Sequence, residues 1–214
     1  MLGQGEPRME PQARTEQIDL FRFFAHGFDV PSVERFEWLQ RPEMSALLQQ
    51  LWDDLECPGL YPGAGLFTDY DEYESTYVAV FEVGLPAPPV PLQETAHDDS
   101  NPTPQTVLEN VDFYQVLGLN VDPARFAPDH LVTQLEFLSA VRFIRDNAPD
   151  PENRQSLVQL ERDFIERHLL NWLPIAEEKL AREGTPIFPV LLTLLLAFLR
   201  REYEAIGEES NQPD

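Results

Sequence analysis

Apolar residues recur every three to four positions along most of the chain, and no strand-length alternation persists, so the pattern predicts an all-α protein. A first helix carries Ile18, Phe21, Phe24, Ala25 and Phe28 and ends near Gly27 to Pro31. A second starts after Ser32 with Val33, Phe36 and Leu39. A third holds Met44, Leu47, Leu48, Leu51 and Leu55 and stops at Pro58-Gly59. A fourth carries Tyr70, Tyr73, Tyr77, Val80 and Phe81 and is ended by Gly84. Leu85 to Pro104 then holds six prolines, a density that opposes helix and favours an extended path. It is read as a long connection, residues 85–104, between an N-terminal and a C-terminal helical half.

The second half resumes with Val107, Val111, Tyr114 and Leu117 up to Gly118. Pro128-Asp129 opens a helix with Leu131, Leu135, Leu138, Val141 and Ile144, and Asp129 has the residue type and place of its N-cap. After Pro149-Asp150-Pro151 one long helix is expected through Leu157, Phe164, His168, Leu169, Trp172 and Leu173, kinked by Pro174 and ended by Gly184. Thr185 as N-cap and Pro186 at the first turn open the last helix. Its residues are apolar nearly all round, which places it at the centre of the core. The expected organisation is a single-domain multi-helix bundle over 16–206, with flexible tails at 1–15 and 207–214.

Composition narrows the function. The 214 residues include 38 Asp plus Glu against 15 Lys plus Arg, a net charge of -23. Such a surface disfavours nucleic acid and anionic lipid and speeds encounter with cationic partners. Met1 to Arg14 is polar and lacks the apolar core of a secretory signal, and the longest apolar run, Ile187 to Leu199, is shorter than the about 20 residues a membrane span needs. A cytoplasmic protein without stable membrane insertion is expected. Cys57 is the only cysteine, so no internal disulfide or thiolate zinc cluster forms, and a small buried apolar role is expected for it.

Enzyme signatures are absent. No glycine-rich phosphate loop, Gly-x-Ser-x-Gly elbow or His-Glu-x-x-His pair occurs, and no two of the four histidines lie three or four residues apart. His97-Asp98-Asp99 offers ligand atoms for a metal, or is a solvated acidic loop. No catalytic residue, metal or cofactor is assigned. The stripe Tyr70, Tyr73, Tyr77 and Phe81 fits a core face, or an aromatic groove rimmed by Glu72, Glu74 and Glu82 that would take an apolar peptide with basic ends. Asp129, besides capping, could hold an Arg guanidinium. Trp172 and His168, one turn apart, are expected to pack inside.

Four segments together resemble the twin-arginine-leader chaperones that mature molybdoenzymes, the group of the trimethylamine oxide and dimethyl sulfoxide reductase chaperones and the nitrate reductase delta-type assembly proteins. They are Leu20-Phe21-Arg-Phe-Phe24-Ala25, Tyr77-Val-Ala-Val80-Phe81 with Gly84-Leu-Pro86-Ala-Pro88-Pro89, Pro128-Asp129-His130, and Glu166-Arg-His168-Leu169-Leu-Asn-Trp172-Leu173. The chain departs from the pattern at Val80, where Leu is usual, and at Val90-Pro91-Leu92-Gln93, where many members place a bulky aromatic. The proline-rich wording is nearer to the branch serving dimethyl sulfide and ethylbenzene dehydrogenases and selenate or chlorate reductases. The resemblance implies an all-helical, non-enzymatic chaperone. Its partners would be the apo catalytic subunit of a molybdenum oxidoreductase and that subunit's twin-arginine signal peptide, bound by a monomer or homodimer. By motif match, Tyr77, Val80, Phe81, Pro88, Pro89, Asp129 and His130 would touch leader or client. A metal-dependent helical enzyme and a generic acidic interaction module are the alternatives.

Overall fold

A computed structural model describes residues 19–97, 103–122 and 124–209. Among these, nine α-helices and no strand occur: α1 Leu20–Phe28, α2 Val33–Leu39, α3 Pro42–Asp54, α4 Tyr70–Tyr77, α5 Thr103–Val116, α6 Leu131–Asp146, α7 Pro151–Phe164, α8 Leu173–Glu183 and α9 Phe188–Glu209. Local chemistry sets many of the starts. Asp19, Ser32, Asp69 and Asp150 each accept a hydrogen bond from the backbone N–H three residues on, at the N-caps of α1, α2, α4 and α7. Gly184 ends α8 with φ 63°, a conformation that only glycine adopts freely.

The apolar faces converge on α9. Phe188, Leu191, Leu192, Leu194, Leu195, Leu196, Phe198 and Leu199 are all buried, as the all-round apolar pattern requires. Helix α9 touches α1, α3, α7 and α8, while α1 lies along α6 and α6 along α7. The aromatic stripe of α4 belongs to this core. Tyr73, Tyr77 and Phe81 each pack a ring on Phe188, and the Tyr77 hydroxyl donates to the Phe28 carbonyl at 2.9 Å. Cys57 is buried, as expected.

Several boundaries differ from the sequence pattern. Ile18, residues 1–15 and 210–214 lie outside the described residues, and α9 runs on to Glu209 rather than stopping at 206. The stretch 151–180 is two helices, not one kinked helix. A π-turn at Ile165–Leu169 follows α7, and Pro174 sits in the first turn of α8, where its missing N–H costs nothing. Likewise α9 opens at Phe188 with Pro189 in its first turn, and Thr185 is not its N-cap. Ile187 takes φ 47° there, which breaks the helical run that Thr185-Pro186 would have begun.

The proline-rich connection is built into the fold over the part described. Val90, Leu92, Glu94 and His97 are buried, a 3₁₀ turn forms at Glu94–Ala96, and Pro104 lies in the first turn of α5 instead of ahead of it. The Glu94 carboxylate is only 3% exposed and sits among donors from three helices. Asn110 of α5 donates to its Oε2 at 3.0 Å, Gln134 of α6 at 2.8 Å, and His168 after α7 through Nδ1 at 3.2 Å. A carboxylate this deep is tolerable only with such a donor set. Glu94→Ala strands three buried donors, so it is expected to cost about 3 kcal/mol of folding stability. Chemical denaturation checks this, and a loss below about 0.5 kcal/mol would mean the cluster is not needed.

Candidate client-binding cleft

The connection turns back on α4 and then crosses to the start of α6. After Tyr77 the helix widens into a π-turn, Val78–Glu82, closed by Val83 N–H donating to the Val78 carbonyl at 2.8 Å. Val90 N–H then donates to the Val80 carbonyl, so the Pro86-to-Pro89 loop folds over Phe81. Gly84 permits this by clearance. A Cβ there would stand 2.1 Å from the Ala87 carbonyl oxygen and 2.6 Å from Pro88 Cα.

Further along, the connection pairs with the Pro128-Asp129-His130 segment. Leu131 N–H donates to the Leu92 carbonyl at 2.8 Å and Glu94 N–H to the Asp129 carbonyl at 3.0 Å, an isolated antiparallel bridge. The three motif residues each hold one side of this junction. The Pro128 carbonyl accepts from the Tyr114 hydroxyl at 2.5 Å. Asp129 Oδ2 accepts from the Thr95 N–H and hydroxyl, at 3.2 and 2.7 Å. His130 Nδ1 accepts from Val132 N–H, which makes His130, not Asp129, the N-cap of α6. The expected Asp129 cap is therefore corrected. Thr95, 34 residues away in sequence, claims its carboxylate, and the adjacent imidazole takes over the cap.

Between these walls lies a cleft of about 580 Å³. Tyr77, Phe81, Pro88, Phe126 and His130 line it, with Glu82 at the rim. His130 stacks on Phe126 with ring centroids 4.1 Å apart. Of the residues singled out from sequence, Tyr77, Phe81, Pro88 and His130 thus share one cleft. Val80 is buried behind it, Pro89 is exposed beside it, and Asp129 lies beneath it, 2% exposed. Sequence reasoning missed Phe126 and Arg125, which also line the cleft, since neither belongs to a periodic run. His168 and Trp172 are buried and serve the core. The Trp172 indole N–H donates to the His168 carbonyl at 2.7 Å.

The described residues contain no group of three or more His, Cys, Asp or Glu placed to hold a metal. Asp98 and Asp99 lie outside the described residues. His97 stacks on Trp172 and donates through Nε2 to the Pro91 carbonyl at 2.7 Å. No helix among them is long and apolar enough to cross a membrane.

Burial pushes the His130 imidazole down to about 4, against the smaller opposing pull of Asp129. Its cap also requires a neutral ring, since Nδ1 must accept. In the unfolded chain the ring titrates near 6.5, so between about 6.5 and 4 the unfolded state binds the extra proton and stability falls as pH falls. His130→Asn keeps a capping acceptor and removes this titration. Thermal melts from pH 7.5 to 4.5 are expected to show a shallower decline for the variant than for the parent. Parallel curves would mean that His130 carries none of the acid sensitivity.

The chain is similar in sequence to known proteins. The family described as the nitrate reductase delta subunit matches residues 43–177, which takes in the fourth helix, the connection, the cleft and the Pro128-Asp129-His130 junction. The perchlorate reductase assembly chaperone protein of Dechloromonas aromatica is 28% identical, over 95% of this chain and 98% of its own length. The selenate reductase assembly chaperone protein of Thauera selenatis is 31% identical over 58% of this chain and 63% of its own. The chlorate reductase assembly chaperone protein of Ideonella dechloratans is 32% identical over 52% and 59%. These relatives are assembly chaperones, not catalysts. The chain belongs to the nitrate reductase delta subunit family and is a redox-enzyme maturation chaperone rather than an enzyme.

Proposed function

We propose that this chain binds, in the cytoplasm, the catalytic subunit of a molybdenum-cofactor oxidoreductase before its cofactor is in place. It shields the subunit's twin-arginine leader and holds the subunit competent for cofactor insertion until export is permitted. The observation that carries this reading is the cleft: an aromatic floor with the Glu82 carboxylate at its rim, on a chain of net charge -23. An apolar leader segment would lie on Tyr77, Phe81, Phe126 and His130, flanked by Pro88 and Pro89. Its arginines would meet carboxylates at the edge, Glu82 first among them. Asp129 would act from below the floor. With Oδ2 engaged by Thr95 it offers its charge, and it holds the connection in place. The names of the relatives support a client among reductases of the perchlorate, selenate and chlorate kind.

A labelled twin-arginine leader peptide, titrated with the protein and followed by fluorescence anisotropy, tests this. The leader should bind at least about ten-fold more tightly than a scrambled peptide of equal charge, and added salt should weaken it. Glu82→Gln should lower affinity about three-fold. Asp129→Asn, which keeps an acceptor for Thr95, should change it less while still reducing its salt dependence. Equal affinity for leader and scramble would instead identify a generic acidic interaction module.

A further inference from the structure

The loop between α5 and α6 places one guanidinium at the meeting point of three clefts. Arg125 lines the cleft described above. It also lines a second of about 510 Å³ formed with Asp29, His26 and Trp38, and a third of about 340 Å³ formed with Val121, Phe126 and Phe137. It holds that position by ion pairs to two separate elements. Nη1 donates to Glu136 Oε1 and Oε2 of α6 at 2.8 and 3.1 Å, and Nη2 to Asp29 Oδ2, just past α1, at 3.0 Å.

The two carboxylates are not equivalent. Asp29 also pairs with buried Arg35 at 2.8 Å, so it keeps a counter-charge if Arg125 leaves. Glu136 is half-exposed, and Arg125 is its only ion-pair partner among the described residues. Arg125 itself is 47% exposed. The pair with Glu136 is open on both sides and contributes little to stability; Asp29 is 13% exposed but is held by Arg35 as well, so exchange of one guanidinium for another costs little.

We propose that Arg125 is an internal latch. Its guanidinium occupies, in the free protein, the Glu136–Asp29 seat that an arginine of the bound peptide takes over, and its departure joins the aromatic cleft to the one beside Trp38. This rests on the leader-binding reading above and adds where one leader arginine is received and what resists it. The fit is demonstrated by the resident side chain, which meets both carboxylates at ordinary charge-assisted distances. The exchange keeps the number of ion pairs constant, and the joined groove offers an extended peptide a longer track than the aromatic cleft alone.

The test is anisotropy titration of a synthetic peptide carrying an Arg-Arg pair and an apolar stretch, alongside its Lys-Lys counterpart. Arg125→Gln should tighten binding of the Arg-Arg peptide by up to about five-fold. Glu136→Gln should weaken it, and adding Arg125→Gln to Glu136→Gln should gain less than Arg125→Gln gains in the parent, because only the Asp29 half of the seat is then contested. Arg22→Gln removes the same charge at the wall of the second cleft. It should give a smaller gain, which separates the latch from a general field effect. The Lys-Lys peptide should gain less from Arg125→Gln, since an ammonium cannot use both carboxylates as a fork. If Arg125→Gln proves unstable, Arg125→Lys, which keeps the charge and loses the fork, should give an intermediate gain. Binding by the parent with no gain in either Arg125 variant, or a gain matched by Arg22→Gln, overturns the latch and leaves the leader reading intact. If neither parent nor variants bind the Arg-Arg peptide above its scramble, both fall.

Discussion

The Glu94 carboxylate organises the C-terminal half of the molecule. Taking a carboxylate out of water costs several kcal/mol even after relaxation, and only fixed donors can offset it. Here the donors come from α5, α6 and the π-turn after α7, so a single acceptor sets the mutual register of three helices. The carboxylate itself is delivered by the proline-rich connection. Proline supports that delivery: residues 85–92 bend back on α4 without a helix to nucleate, and the Val90 and Glu94 N–H groups donate to the Val80 and Asp129 carbonyls. A segment that reads as a spacer is thereby a wall of the core and of the cleft at once.

The same junction shows how the residues Pro128, Asp129 and His130 bear on the shape of the cleft. Pro128 holds Tyr114 of α5, His130 caps α6, and Asp129 ties the connection to them through Thr95. Pro88 forms one side of the cleft, followed by Val90 pinned to Val80 and by Leu92 and Glu94 pinned at the start of α6. The shape of the cleft and folding energy are thus supplied by the same residues, and a substitution at Thr95 or Asp129 would deform the cleft from beneath. Gly84 contributes in the same way, through space rather than chemistry.

Much of this was legible in the sequence because it depends on local periodicity. The helices, the central burial of the last one, and the inward packing of His168 and Trp172 follow from apolar spacing and capping chemistry. What periodicity could not show are features decided by distant partners. Asp129 and His130 are both competent caps, and Thr95 decides between them. Pro174 fits a kinked helix and a new first turn equally well, and the π-turn at Ile165–Leu169 decides. That π-turn and the one at Val78–Glu82 add a residue to a helical turn without leaving any mark in composition. Tyr77, Phe81, Pro88 and His130 could be grouped by motif, but the meeting of Asp29, Arg125 and Glu136 spans 107 residues and no repeat or spacing announces it.

On the proposed function, release poses a physical problem that the cleft alone does not solve. The leader has the same sequence before and after cofactor insertion, so its own contacts cannot distinguish an immature subunit from a mature one. A ligand shifts an equilibrium only through a difference in affinity between the two states. That difference has to come from contacts with the body of the client, which changes as it closes around its cofactor. The leader's share is then best kept modest: exposed, salt-sensitive ion pairs over an aromatic floor, each worth about 1 kcal/mol or less. With a weak leader contact, loss of the body contact is enough to free the whole subunit. A deep, fully desolvated arginine site would hold the leader regardless of what the rest of the client had become. The half-exposed setting of Glu136 and the open rim at Glu82 are therefore what a chaperone that must let go requires.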